Sequence, residues 1–427
     1  MKKYMQCLAG VVLSLVAFAS IAQGGGLWLY EVATPNLGTA GAGQAALAAD
    51  ASTALSNPAG MTYLDRSQML IGFQALYYDN KFDTESANFG GGNGGQAGGW
   101  IPSGSFSYVH DVSTDLKFGL FTGSYFGLGL ERDQNWSGRY YNTEAEFVTY
   151  LVNPSAAYRV NNWLSLGAGI DLIYAELHQE AAVNNSAVPG QAGQADGELE
   201  IDNNDVAYGF NLGIMLEPQE GSRLGLTYRS EVDLEFEDTV NLTGIGNVLQ
   251  GILDNSGLAG STVDMDMTMP RAVMLSGYQQ INKRLALMGN IGWQDWSAFG
   301  SQDFTLNATT STSFTKDLDY DDTYHFALGA QYLLFEDWLW SVGVAYDTSP
   351  VDDDDRTLDM PLDRQIRIGT GVQYTLNADM TIGLAYEYLD LGDAKVDLQG
   401  GNLNGDFKGE NDTHVLHFIA VSLSYKF

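Results

Sequence analysis

Five histidines, His110, His178, His325, His414 and His417, are the residues best suited to proton transfer or metal ligation. Their spacing argues against a common role. His414 and His417 are three apart, which on a β-strand sets them on opposite faces. No GxSxG, HExxH, Walker-type or dinucleotide motif stands in its required context. Asp352 to Asp355 offer carboxylate oxygens to a divalent cation; the competing reading is a solvated acidic loop. Arg229 and Arg367 are candidate charges for a polar interior, with salt-bridge duty as the alternative. The reading is therefore of a protein that is not an enzyme, with no cofactor and no metal.

The elements that position these residues begin after a removable start. Lys2 and Lys3 precede an apolar run from Leu8 to Ile21, and Ser20-Ile21-Ala22 is a small-residue cleavage site. The run is too short to cross a bilayer, which takes about 20 apolar residues. Residues 1–22 read as a signal peptide. It would carry away Cys7, excluding disulfides, thiolate chemistry and cysteine metal sites. It also takes two of the 20 basic residues and leaves 53 acidic ones, a formal charge of −35. A chain this acidic is no partner for nucleic acid.

The remainder shows no linker and no run of 18 apolar residues, so helical membrane spans are not expected. It alternates instead. In Arg223 to Glu237, Leu224, Leu226, Tyr228, Val232, Leu234 and Phe236 fall on one face, and Arg229, Glu231, Asp233 and Glu235 on the other. Similar alternation recurs at Tyr324–Ala330, Thr381–Tyr388 and Ile419–Phe427. Fourteen strands are expected, near 67–79, 102–111, 114–131, 145–160, 162–179, 204–218, 222–238, 267–281, 284–298, 320–335, 338–349, 363–377, 379–392 and 412–427. Short and long connections alternate between them. The fold class is all-β: a 14-stranded antiparallel transmembrane β-barrel, residues 67–427, in a bacterial outer membrane.

Two segments do not fit a bare barrel. Residues 23–66 are rich in Gly and Ala, with helix-forming Ala runs, and read as an N-terminal hatch (plug) inside the lumen. In the loop Thr239 to Asp266, Leu242, Ile245, Val248, Leu249, Ile252 and Leu253 recur at helical spacing. This amphipathic helix either packs on the rim or forms an apolar capture groove.

Asn57-Pro58-Ala59-Gly60-Met61, Ser124-Tyr125-Phe126-Gly127-Leu128, Ala157 to Trp163, Asp295-Trp296-Ser297 and Pro361 to Arg364 together resemble the FadL-type family of outer-membrane long-chain fatty acid and hydrocarbon transporters. The resemblance spans the whole mature chain. It implies a hatch with its turn at Asn57, Pro58, Ala59 and Gly60, and a lateral gate at a kink in the third strand, which maps to Gly127. The implied partners are hydrophobic small molecules, outer-membrane lipid and lipopolysaccharide, and the barrel assembly machinery during biogenesis. One departure stands out. Some members carry basic residues at the end of the fifth strand; here that place reads His178-Gln179-Glu180-Ala181, and an acid there repels a carboxylate.

The sequence thus points first to a passive transporter of hydrophobic compounds with release sideways into the membrane. A general or small-solute diffusion porin and a surface adhesin or receptor are the alternatives.

Overall fold

The computed structural model describes residues 28–256, 260–307 and 312–427. The expected signal peptide, residues 1–22, and residues 23–27 of the expected hatch lie outside the described residues. Fourteen staves follow one another in the wall. They are β1 (Gln68–Ala87), β2 (Trp100–Asp111), β3 (Leu116–Gly123, resuming as Gly127–Glu131), β4 (Glu144–Asn161), β5 (Leu164–Val183), β6 (Gly197–Gln219) and β7 (Ser222–Arg229). Then come β8 (Ala272–Gln280), β9 (Leu285–Gln294), β10 (Thr323–Phe335), β11 (Trp338–Asp347), β12 (Gln365–Thr375), β13 (Met380–Asp390) and β14 (Gly405–Lys426). Each pairs antiparallel with its neighbour, and Gln68 to Ala87 of β1 run against Lys426 to Phe407 of β14, so the sheet shuts into a ring.

Closure follows from the side-chain pattern. Along β10 the outward residues are Tyr324, Phe326 and Leu328, the last 71% exposed, while His325 and Ala327 point inward and are buried. β5 repeats this, with Ile170 and Leu172 outward and Ser165 and Asp171 inward. A continuous apolar outer surface belongs in lipid, and lipid tolerates no unpaired sheet edge. Connections at 112–115, 162–163, 220–221, 281–284, 336–337 and 376–379 are short. The intervening ones are long and gather at the other end of the barrel, as in outer-membrane proteins.

The alternation Arg223 to Glu237 is not one wall strand. β7 ends at Arg229, and Val232–Thr239 leaves the wall to join Thr262–Met269, Ser301–Asn307 and Thr312–Asp317 in a separate four-stranded sheet. Leu224 and Leu226 face outward, whereas Val232, Leu234 and Phe236 are buried. The same departure divides the expected strand 267–281, whose wall portion starts at Ala272. Periodicity of two reports a two-faced strand in either setting, and only the break at Ser230–Glu231 separates them.

Residues 28–66 run through the barrel interior. They form short turns of 3₁₀ helix at Pro35–Thr39 and Pro58–Tyr63 and one α-turn at Thr53–Ser56. The Ala run 45–49 makes no helix, because its backbone is pinned by the wall. The Gly43 and Ala45 N–H groups donate to Asn290 Oδ1 (2.8 Å) and Ser276 Oγ (3.0 Å). Asn290 Nδ2 donates back to the Gly41 carbonyl (2.7 Å), and Gln74 Nε2 to the Glu31 carbonyl (2.7 Å). Irregular backbone away from water must find such partners. It also needs room: a Cβ on Gly225 would collide with the Ala45 carbonyl.

Asn57 sits at the centre of this fit. It is fully buried, it caps the 3₁₀ turn by accepting the Ala59 N–H at 3.0 Å, and its Nδ2 donates to the carbonyls of Ala45 (2.6 Å) and Ile214 (3.1 Å). Asn57→Ala strands these buried groups, a loss of about 1–3 kcal/mol. The expected outcome is faster hydrogen exchange at amides 43–64 with the β1–β14 amides unchanged. Equal exchange would show that the asparagine is not what holds the segment.

Candidate functional site

The third stave is interrupted, and the gap is bordered mainly by apolar residues, with Glu131, Glu144 and Glu146 also on its rim. β2 pairs with β3 only from Phe106 to Asp111, against Thr122 to Lys117. Beyond Gly123 the chain turns inward, burying Tyr125 and Phe126, and resumes at Gly127 in a ladder with β4, while at its end the Glu131 N–H donates to the Ala97 carbonyl (2.8 Å). No ladder links this second half of β3 to the stretch Trp100–Ser105 of β2. Between them lies a lateral opening of about 810 Å³, bordered by Leu76, Ala97, Trp100, Phe126, Gly127 and Leu130 among others.

Two things hold the break open. Gly127 has φ +136°, a conformation that L side chains rarely adopt, and a Cβ there would meet the Phe147 carbonyl. The freed peptide groups are also taken up: the Leu29 N–H donates to the Tyr125 carbonyl (2.8 Å), and Thr149 Oγ1 donates to that of Phe126 (2.5 Å). Trp28 forms a bridge with Phe126. The start of the interior segment is therefore fastened to the interruption itself.

Phe126 opens onto a buried apolar cluster that extends toward the long-loop end. Its ring centroid lies 5.8 Å from Phe147 and 6.1 Å from both Trp296 and Phe299. The cluster continues to Val232, Leu234 and Phe236, to Met265, Met267 and Met269, and to Phe304. Methionine is flexible and polarisable, so such a wall adapts to varied apolar shapes. Sequence reasoning missed this cluster because it assigned 232–238 and 267–269 to the lipid-facing wall; the signal that was available is the period-two run Met265, Met267, Met269.

A smaller cavity of about 70 Å³ lies inside the wall, lined by Trp28, Tyr30, Leu55, Tyr125, Met274 and Arg229 among others. Arg229 pairs with Asp171 at 2.5 Å and lies 4.6 Å from the Tyr125 ring. Arg367 is buried and paired with Asp347, with Glu31 at 2.7 Å and Glu387 at 3.8 Å. His325 binds the same Asp347 at 2.9 Å, and its ring lies 4.4 Å from that of Tyr30 at a tilt of 39°. Both arginines serve in salt bridges, and Arg367 ties the interior segment to β11, β12 and β13.

The expected amphipathic helix spans Asn247–Ser256. Leu249 and Leu253 are buried against Val183, Leu199 and Ile201, with Leu242 and Ile245 at the edge of that cluster. Leu242 sits in a short strand, Asn241–Thr243, rather than in the helix. Val248 is exposed and Ile252 half-buried. Pro58, Ala59 and Gly60, expected in the hatch turn, are buried beside Asn57. At the end of β5, His178 lies 3.6–3.9 Å from Glu144, Glu180 and Asp202. Among the described residues, Glu144, His178 and Glu180, and His178, Glu200 and Asp202, bring candidate ligand atoms within 4.8 Å of one another. Asp352 to Asp355 are exposed and belong to neither group.

Residues 15–427 match the family model described as outer membrane protein transport protein (OMPP1/FadL/TodX). The chain is 27% identical over 409 residues to the long-chain fatty acid transport protein of Escherichia coli O6:H1, covering 89% of this chain and 90% of that one. It is likewise 27% identical over 434 residues to outer membrane protein P1 of Haemophilus influenzae, covering 91% and 90%. Among solved structures, a FadL homologue from Pseudomonas aeruginosa superposes with a TM-score of 0.84 at 22% identity, covering 94% of this chain and all of that one. The toluene transporter TodX of P. putida gives 0.64 at 17% identity, covering 96% and 99%. At these identities the two structures speak to the fold.

Arg367→Met leaves Glu31, Asp347 and Glu387 facing one another without a cation, at a cost of about 3–5 kcal/mol. The folded band in unheated SDS gels is expected to convert to the unfolded band at a lower temperature. An unchanged conversion temperature would show that the cluster carries no stability.

Proposed function

The chain belongs to the OMPP1/FadL/TodX family of outer-membrane transport proteins, and from that premise we propose that it passes hydrophobic compounds, long-chain fatty acids or related hydrocarbons, and releases them sideways into the membrane. The observation that carries this reading is continuity. One buried apolar cluster joins the four-stranded sheet, Trp296 and Phe299 to Phe126, and Phe126 borders the lateral opening.

The route has three stages. Apolar residues of the long loops take up the solute; Val248 and Ile252 are the accessible members of the capture surface, with Leu242, Ile245, Leu249 and Leu253 shaping its base. The solute then partitions among the methionine and aromatic side chains of that cluster, which part to admit it, at about 0.8 kcal/mol for each CH₂ buried. Finally the segment 28–66, with Asn57, Pro58, Ala59 and Gly60 as its anchored turn, yields at Trp28–Leu29, and the solute leaves past Gly127. Lipid is as apolar as the cluster, so the last step is nearly isoenergetic and the direction follows concentration. No step forms or breaks a covalent bond.

The interior segment favours this reading over an open diffusion porin. Across a planar bilayer the full-length protein is expected to pass little steady ion current, and a variant lacking residues 28–66 markedly more. A large steady conductance from the full-length protein would favour the porin instead.

Gly127→Val tests the exit. A β-branched residue in that backbone conformation carries about 1–3 kcal/mol of strain and narrows the opening. Uptake of a radiolabelled long-chain fatty acid is expected to fall several-fold while the barrel still folds and still binds the ligand. Uptake at the wild-type rate would rule out the lateral route.

A further inference from the structure

The outer face of β4, β5 and β6 changes character toward the long-loop end. Its apolar band closes at the exposed rings of Tyr150, Tyr174 and Tyr208. Beyond them the ladder register sets Glu131, Glu144, Glu180 and Glu200 side by side in one row, from the second half of β3 to β6. The adjoining row holds Glu146, His178 and Asp202. Like charges directly opposite one another in a sheet are destabilising. Among the described residues no lysine or arginine pairs with these acids, and the one basic side chain in the two rows is His178.

His178 stands among carboxylates without bonding to any of them. Its Nε2 lies 3.6 Å from Glu180 Oε1 and 3.9 Å from Glu144 Oε2, and its Nδ1 lies 3.8 Å from Asp202 Oδ2. These separations are too long for hydrogen bonds. They approach the spacing of atoms that share one cation. Two ligands about 2.0–2.1 Å from a zinc ion at a tetrahedral angle lie roughly 3.3–3.5 Å apart. Small side-chain rotations close the difference. The Nε2 side is the more sheltered: Glu144, His178 and Glu180 are half-buried, whereas Asp202 is exposed. Asp202 then stands behind the ring, on the Nδ1 side, where a carboxylate orients a ligating imidazole.

We propose that Glu144, His178 and Glu180 form a divalent-cation site of the zinc class on the outer face of the barrel, with water completing the coordination. The imidazole decides the class of ion. Carboxylates alone suit hard cations such as Ca²⁺, and a nitrogen ligand among them shifts the preference to Zn²⁺ and its transition-metal neighbours. The bound ion ties β4 to β5 and neutralises facing carboxylates beside the lateral opening, whose rim includes Glu131, Glu144 and Glu146. No sequence motif announces the site, because its ligands meet only through strand pairing. The proposal needs that pairing alone and does not rest on the transport reading.

The test uses untagged full-length protein in detergent micelles at neutral pH, stripped of metal with EDTA and dialysed. Calorimetric titration with Zn²⁺ is expected to show one tight site per chain, and titration with Ca²⁺ an affinity about tenfold or more weaker. His178→Ala is expected to weaken Zn²⁺ binding about tenfold or more while leaving Ca²⁺ within about twofold. Glu180→Gln is expected to weaken both ions. Zn²⁺ affinity unchanged in His178→Ala overturns the proposal, since the ion then sits elsewhere. If the variants show no folded band in unheated SDS gels, wild type decides alone. Equal affinity for Zn²⁺ and Ca²⁺, or no Zn²⁺ binding, would leave only a solvated acidic patch and overturn it.

Discussion

A peptide group in hydrocarbon has no water to turn to, and this requirement governs the whole molecule. It closes the sheet between β1 and β14, so that no edge faces lipid. It accounts for the polar residues on the inner wall, where Gln74, Ser276 and Asn290 hydrogen-bond the irregular backbone of residues 28–66. It also makes the break in β3 informative. A strand that abandons its neighbour inside a membrane carries a penalty, and here Leu29 and Thr149 meet part of it with bonds to the carbonyls of Tyr125 and Phe126.

Those bonds couple two parts that are separate in sequence. Trp28 and Leu29 hold the interruption from inside, and a few residues on Glu31 reaches Arg367 on the opposite wall. Displacing the interior segment exposes unpaired peptide groups at the break and unpaired carboxylates at Arg367 together. The segment is thus held by polar contacts at its ends and by close backbone approach along its length.

Much of the wall was legible in the sequence, because a strand with lipid on one side and a polar lumen on the other alternates without ambiguity. The segments around β5, β10 and β13 came out close to their observed limits for this reason. The same rule failed at Val232–Phe236, where an identical pattern describes a sheet that buries its apolar face against the long loops. The break at Gly127 was reachable only through resemblance, since Gly123, Gly127 and Gly129 look alike in isolation. The Ala run of the interior segment suggested helix; its conformation is set by Asn290 and Ser276, more than 200 residues away.

The seam of the ring lies between its first stave and its last, and the interior segment immediately precedes the first. Asn57, Gly43 and Ala45 bond to wall residues contributed by β6, β8 and β9, all synthesised long after them. The segment must therefore wait, partnerless, until the middle of the polypeptide arrives. Its tight seat against wall backbone leaves little room for late insertion, so packing the lumen belongs before the sealing of β1 to β14. Seating the segment and shutting the ring are therefore coupled, because its partners stand on staves in the middle of the wall.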